Sequence, residues 1–185
     1  DPDIALLTGF FGNDFQDITY ARSGGWPRPW YDLRDGELIP HPPEETWNIK
    51  LRSSSYVAEK LVHVLTRPDR DFEIAEPWRG DRDVVPLMCA LIERMQERCT
   101  ERDVDLLVVL VYPPERMTEE PLDREVRVRA ALEGAGIEIV DTHALFAGRE
   151  AEREALYRPG HHWTALGNRM VADAIGAKLR ELGWL

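Results

Sequence analysis

Serine is scarce in this chain. Ser23 and the run Ser53–Ser55 are the only four in 185 residues. The run stands at the start of an expected helix, where capping and solvation account for it. Neither segment has the setting of a nucleophile. Lysine occurs only at 50, 60 and 178, so arginine carries most of the basic charge, which we read as genome composition. Basic residues are in deficit overall, with a formal charge of −11 and a pI of about 4.9. Such a surface repels phosphate backbones and anionic lipid, which argues against nucleic acid and membrane surfaces as partners. No apolar run approaches the ~20 residues of a membrane-spanning helix, and residues 1–185 contain no stretch that reads as a signal peptide, although a segment ahead of Asp1 could hold one. Cysteine is limited to Cys89 and Cys99. Ten helical residues would separate them by about 15 Å, beyond the roughly 4.4–6.8 Å a disulfide tolerates, so both read as buried thiols.

What remains is enough for one domain. The chain is 43% hydrophobic, which suffices for a packed core. Residues 1–185 read as a single domain that carries a Pro- and Trp-rich insertion over 20–47. The chain opens Asp1-Pro2-Asp3-Ile4 and enters a strand almost at once, so we expect it to begin inside a domain, after an N-terminal strand.

Ile4 to Phe10 is an apolar run without polar alternation, as in a strand buried on both faces of a parallel sheet. The insertion holds Gly24-Gly25, prolines at 27, 29, 40, 42 and 43, and Trp26, Trp30 and Trp47. It predicts little regular structure beyond a hairpin at Asp35-Gly36. With Tyr20 and Tyr31, these tryptophans suit either a substrate cleft or the attachment of a long loop to the body. A helix is expected over 49–66, with Val57, Leu61 and Leu65 in register. The spacing predicts a second over 84–102, with an apolar stripe of Val84, Met88, Leu91, Met95 and Cys99. Val104–Tyr112 is the strongest strand and Pro113-Pro114 ends it. A helix over 122–133, a strand over 137–140 and a last helix capped by Thr164 follow. That last helix shows Leu166, Met170, Val171, Ile175, Leu179 and Leu182 on one face.

Alternation of strands and helices predicts an α/β fold with a parallel sheet covered on both faces. Ligands of such folds collect beyond the carboxyl ends of the strands. Asn13, in Gly12-Asn13-Asp14, follows the first strand. His162, in His161-His162-Trp163-Thr164, follows the last. Both therefore belong to the same edge of the sheet.

The segment PDIALLTGFFGNDFQD resembles the third conserved block of the SGNH/GDSL hydrolases, and YRPGHHWTALGNRMVADAI resembles their fifth. The segments VDLLVVLVYPP and GIEIVDTHALF resemble later strands of the same family. The resemblance implies a three-layer α/β/α flavodoxin-like sandwich and an esterase or lipase working through a seryl acyl-enzyme. It implies that Asn13 donates its amide to an oxyanion and that His162 is the general base, with His161 next if the register shifts by one. Oxyanion donors are worth ~2.7–4 kcal/mol each in related chemistry. Gly12 would let the backbone turn closely beneath the Asn13 amide, and Asp14 would brace the loop. The family's Gly-Asp-Ser block and its second Gly block are absent, so the nucleophile is expected outside this chain.

The family also places an Asp two or three residues before the His. Here those positions are Gly160 and Pro159, which leaves Asp141 as the candidate acid. No cofactor is implied. Asp141, His143, His161 and His162 form a conceivable zinc set, but their spacing matches no standard motif. The expected substrate is a small-molecule, glycan or lipid ester. A non-catalytic binding module and an O-acyltransferase acting on a polysaccharide are the alternatives. Compartment and oligomeric state are left open.

Overall fold

The computed structural model describes residues 2–23, 26–43 and 73–185. The helix expected over 49–66 lies outside them. The chain divides into two compact units, Asp1–Asp14 with Met88–Leu185, and Phe15–Leu87.

The first unit is built on a parallel sheet of β1 (Ile4–Phe10), β7 (Asp105–Val111) and β8 (Glu138–Asp141), in the order β1-β7-β8. Ile4 pairs with Asp105 and Phe10 with Val111. Leu107 pairs with Glu138 and Leu110 with Asp141. β7 is the central strand, and Leu106–Val111 are all buried. That explains its unbroken apolar run: a strand covered on both faces has no side to give to water.

Its odd residues Leu107, Val109 and Val111 join one core cluster with Val140, Phe146, Leu156, Val171 and Leu179. Leu106, Val108 and Leu110 are buried on the other face. The helix α3 (Asp123–Gly134), which connects β7 to β8, buries Val128 and Leu132 completely outside that cluster. The layering is therefore the α/β/α arrangement expected.

Further helices are α2 (Val85–Thr100), α4 (Thr142–Phe146), α5 (Arg153–Leu156) and α6 (Ala165–Leu182); a short α1 (Asp14–Asp17) follows β1. Thr164 caps α6 by accepting the Gly167 N–H at 3.2 Å, and Gly183 closes it in the left-handed conformation at φ 73°. Two expected stripes are corrected. On α2 the buried positions are Val85, Leu87, Met88, Cys89, Ile92 and Cys99, while Met95 is exposed. Val85 and Ile92 turn inward in place of Val84 and Leu91. On α6, Leu166 is exposed.

The second unit differs most from expectation. Residues 20–23 and 26–41 are not largely irregular. They form β2 (Tyr20–Ser23), β3 (Trp26–Pro27), β4 (Trp30–Arg34) and β5 (Glu37–His41), and β6 (Glu73–Ile74) pairs with β2. The hairpin at Asp35-Gly36 is present. Both residues have positive φ, 52° and 83°, the two-residue turn that matches strand twist. Trp30 stacks on its cross-strand partner His41 with ring centroids 3.7 Å apart.

Asp32 is buried and accepts from Arg34 Nε at 2.6 Å, the Leu33 N–H at 2.8 Å and Arg82 at 3.3 Å. Burial pushes its carboxyl up, but the Arg34 hydrogen bond, the Leu33 N–H and the two guanidinium charges outweigh that and hold it below the ordinary value. Arg82 lies over the buried Trp78 ring, 4.1 Å from its centroid, and Trp78 Nε1 donates to the Tyr31 carbonyl at 2.7 Å.

Candidate functional site

Two loops leave the carboxyl ends of adjacent parallel strands and a third reaches them from beyond β8. After β1 come Phe11, Gly12 and Asn13. The chain is held here at both ends: Phe11 N–H donates to Val111 O at 2.9 Å, and Asp14 accepts the Phe10 N–H at 2.6 Å. Asp14 thus braces the loop. Phe11 is buried edge-on against Tyr112 at 4.9 Å. A Cβ on Gly12 would come within 2.4 Å of the Phe10 ring. The glycine therefore lets the loop fold over that ring.

After β7, Pro113 starts a 3₁₀ turn over Pro114–Met117. Its Arg116 is largely buried. Arg116 Nε donates to the fully buried Glu125 at 3.1 Å, and its guanidinium also pairs with Glu119. Glu125 in turn accepts the Leu122 N–H at 2.7 Å, so one carboxylate ties the turn to the start of α3. Its burial is offset because one oxygen, Oε2, takes both a charged donor and a backbone donor.

The third loop is a small hairpin. Tyr157 pairs antiparallel with Trp163, Arg158 N–H donates to His162 O at 2.7 Å, and Thr164 N–H donates to Leu156 O at 2.9 Å. Pro159, Gly160 and His161 form its tip. Gly160 and His161 both have positive φ, 85° and 69°. A histidine in the left-handed region costs on the order of 1–2 kcal/mol relative to a relaxed backbone. The hairpin packs through Tyr157 and Trp163 on Phe146, with ring centroids 5.6 and 6.3 Å apart. Gly167 permits the close approach of α6. A Cβ there would lie 2.5 Å from the Leu156 carbonyl oxygen and 3.2 Å from Trp163 Cβ.

These loops enclose a cleft of about 410 Å³ lined by Phe10, Phe11, Gly12, Asn13, Pro113, Glu115, Arg116, Arg124, Glu125 and His161. A second cleft, about 580 Å³, lies against Pro114, Arg153, Glu154, Tyr157, Arg158, Pro159, Gly160 and again His161. His161 is the residue they share. It is half-exposed, and its Nε2 lies 3.8 Å from a Glu115 carboxylate oxygen that also takes Arg153 at 3.1 Å.

The structure therefore brings Gly12, Asn13 and His161 to one cleft. His162 lines neither of these clefts, and its carbonyl is spent on the hairpin. Asp141 does not line them either. It caps α4 by accepting the His143 N–H at 2.8 Å and pairs with Arg129 at 2.9 Å. Among the described residues no group of three or more His, Cys, Asp or Glu side chains is placed to hold a metal ion, and no helix is long and apolar enough to cross a membrane.

Glu115, Arg116, Arg124 and Glu125 were not singled out in the sequence. The signal was available in Pro113-Pro114-Glu115-Arg116, which stops a buried parallel strand at the edge where ligands bind. Of the serines, Ser23 sits on β2 in the second unit, and Ser53–Ser55 lie outside the described residues.

No curated protein and no solved structure matches the chain. A family model does: residues 78–185, more than half of the length, match the family described as the SGNH hydrolase-like domain of the acetyltransferase AlgX, and the chain belongs to that family.

Proposed function

We propose that this domain processes carboxylic esters through a seryl acyl-enzyme, with the serine supplied from outside these 185 residues. The observation that carries the reading is the shared cleft. A side-chain amide, Asn13, and an imidazole, His161, line one hollow at the carboxyl edge of the parallel sheet, in a chain of SGNH hydrolase-like family. Serine Oγ attacks the ester carbonyl while the imidazole takes its proton. The carbonyl oxygen becomes an oxyanion that accepts the Asn13 amide N–H. The intermediate collapses, and the imidazole returns the proton to the departing alcohol. The same steps in reverse order then pass the acyl group from serine to an incoming hydroxyl.

Between the two neighbouring histidines, the geometry supports His161 as the base, because it faces both clefts and His162 faces neither. Its left-handed backbone is a further argument, since strain of this kind gathers at working sites.

The incoming hydroxyl is water in an esterase and an acceptor alcohol in a transferase. The family's description as an acetyltransferase favours the second, as does the presence of an additional cleft on the far side of His161. A non-catalytic binding module is the reading these observations oppose.

The test is turnover of p-nitrophenyl acetate by the protein joined to a Gly-Asp-Ser nucleophile segment, followed by product analysis with and without a sugar acceptor. Acetate alone as product assigns a hydrolase and acetylated sugar assigns a transferase. No turnover in any form assigns the binding module.

A further inference from the structure

We propose that the outer edge of β1 receives the segment that carries the serine, docked as a further parallel strand whose ladder Asp14 ends. The inference rests on the reading that the nucleophile lies outside these 185 residues, and it says where that segment binds.

Two backbone hydrogen bonds fix which groups of β1 face β7. Asp105 N–H donates to Asp3 O at 3.0 Å, and Phe11 N–H donates to Val111 O at 2.9 Å. In a parallel ladder, alternate residues of a strand bond to the same neighbour. The odd residues of β1 therefore serve β7. The even residues Ile4, Leu6, Thr8 and Phe10 turn their N–H and C=O groups outward. Phe10 agrees with that parity, because its N–H goes to Asp14 instead, at 2.6 Å. Among the described residues no strand pairs with this outer side.

The two edges of the sheet are built differently. β8 has four residues, begins and ends on a carboxylate, and its Glu138 pairs with Lys178 at 2.9 Å. Short, charged strands are how sheets blunt an edge. β1 is seven residues, Ile-Ala-Leu-Leu-Thr-Gly-Phe, with no charge and no proline. Leu6 pairs in register with buried Leu107 yet is 52% exposed, and Thr8 is exposed too. An open apolar edge of this length is a template for one more strand.

Direction then selects the occupant. Both pairings in this sheet are parallel. A parallel strand lying ~4.8 Å outside β1 ends level with Phe10. The residues after it enter beside Gly12 and Asn13, at the cleft the serine must reach. An antiparallel strand would carry its following residues to the opposite end. Asp14 sets where the new ladder stops. It has taken the Phe10 N–H, so Thr8 is the last outward donor and the incoming chain turns away at the cleft. Handedness accounts for Leu6. α3 joins β7 to β8 on the face opposite Leu107. A right-handed connection leading from the new strand away from β1 puts its helix on the other face, over Leu6. A second copy of this chain suits the edge less, because each copy has a formal charge of −11.

The test reads backbone amide exchange by NMR, first in the chain as it stands and then in the protein joined to its Gly-Asp-Ser nucleophile segment. In the chain alone, Ala5, Leu7 and Gly9 should be protected, while Leu6 and Thr8 exchange freely. In the joined protein the Leu6 and Thr8 amides should slow by about 100-fold or more. The Phe10 amide, already bonded to Asp14, should change little. Thr8→Pro removes one outward donor and no bond to β7. It should leave the urea midpoint of the chain alone nearly unchanged, since an edge tolerates proline. In the joined protein it should cancel the protection of Leu6, with the Ala5 amide reporting that β1 is still paired with β7.

Leu6 and Thr8 amides that still exchange freely in the joined protein overturn the proposal, whether or not that protein turns over p-nitrophenyl acetate. Slow exchange of the same two amides in the chain alone also overturns it, and a dimer on sedimentation then assigns the edge to a second copy. Slowed exchange in the joined protein with no turnover upholds the docking and counts against the ester chemistry instead.

Discussion

Asn13 and His161 line the same cleft although almost the whole chain lies between them. One follows the first strand of the parallel sheet and the other tips a hairpin beyond the last. The first prediction tests the amide. Asn13→Ala should lower kcat on p-nitrophenyl acetate by about 10²–10³-fold with KM nearly unchanged, the signature of a donor used mainly in the transition state. A loss confined to KM would assign Asn13 to substrate binding.

His161→Gln and His162→Gln form a matched pair. The first should cost about 10²–10⁴-fold in kcat, the range for a lost general base. The second should leave kcat within a few-fold, because His162 holds the hairpin through its backbone, which the substitution keeps. The reverse ranking, measured by steady-state kinetics, would return the base role to His162.

Two glycines on one helix should respond in opposite directions. Gly167→Ala places a methyl against the Leu156 carbonyl and should destabilise by about 1–3 kcal/mol, as overpacking does. Gly176→Ala meets only the end of the Arg180 side chain, at 3.5 Å, and should stabilise by about 0.5–1 kcal/mol. Urea midpoints of the two variants check both.

Asp32 sets an acid limit. Its folded-state carboxyl is held below the ordinary value, chiefly by Arg34, against the opposing effect of burial. Its contribution is therefore fully present above the unfolded value near pH 3.9 and is lost as pH falls through the lowered folded value. Asp32→Asn should cost about 1–3 kcal/mol at neutral pH by leaving Arg82 and the Leu33 N–H poorly matched. It should also flatten stability between roughly pH 4 and 2. Circular dichroism melts across that range would show an unchanged acid slope if Asp32 plays no part.

Asp141→Asn should lower stability by about 1 kcal/mol through its Arg129 pair, since Asn still serves as a cap. It should leave kcat intact. A large kcat loss with unchanged melting would place Asp141 in the proton path after all.

The central sheet was readable in the sequence because β7 is buried on both faces, and burial of that kind forces a continuous apolar run. Thr164 was readable as a cap because its hydroxyl serves its own helix, a local interaction. The strands over 20–41 were not. β3 is two residues long and includes Pro27, so no alternation exists to detect. On α2 Met88 and Cys99 face inward as expected, but Val85 and Ile92 are buried where Val84 and Leu91 were expected, since neighbouring apolar residues leave the choice to packing. The site divided along the same line. Asn13 announced itself by following a strand, whereas the backbone of His161 and its approach to Glu115 are set by tertiary contacts that no spacing records.

The register of β1 on β7 carries a cost in time. Ile4 meets Asp105, so β1 cannot make this pairing until about a hundred further residues have left the ribosome. At typical synthesis rates that is a wait of roughly 5–20 s. During it an apolar strand, with the Asn13 loop at its end, is without its parallel partner. Neither cleft exists before that pairing closes, because the Pro113–Arg116 turn and the His161 hairpin are made later still. The nascent chain should therefore engage holdase chaperones through Ile4–Phe10, and its dependence on them should vanish once β8 has emerged.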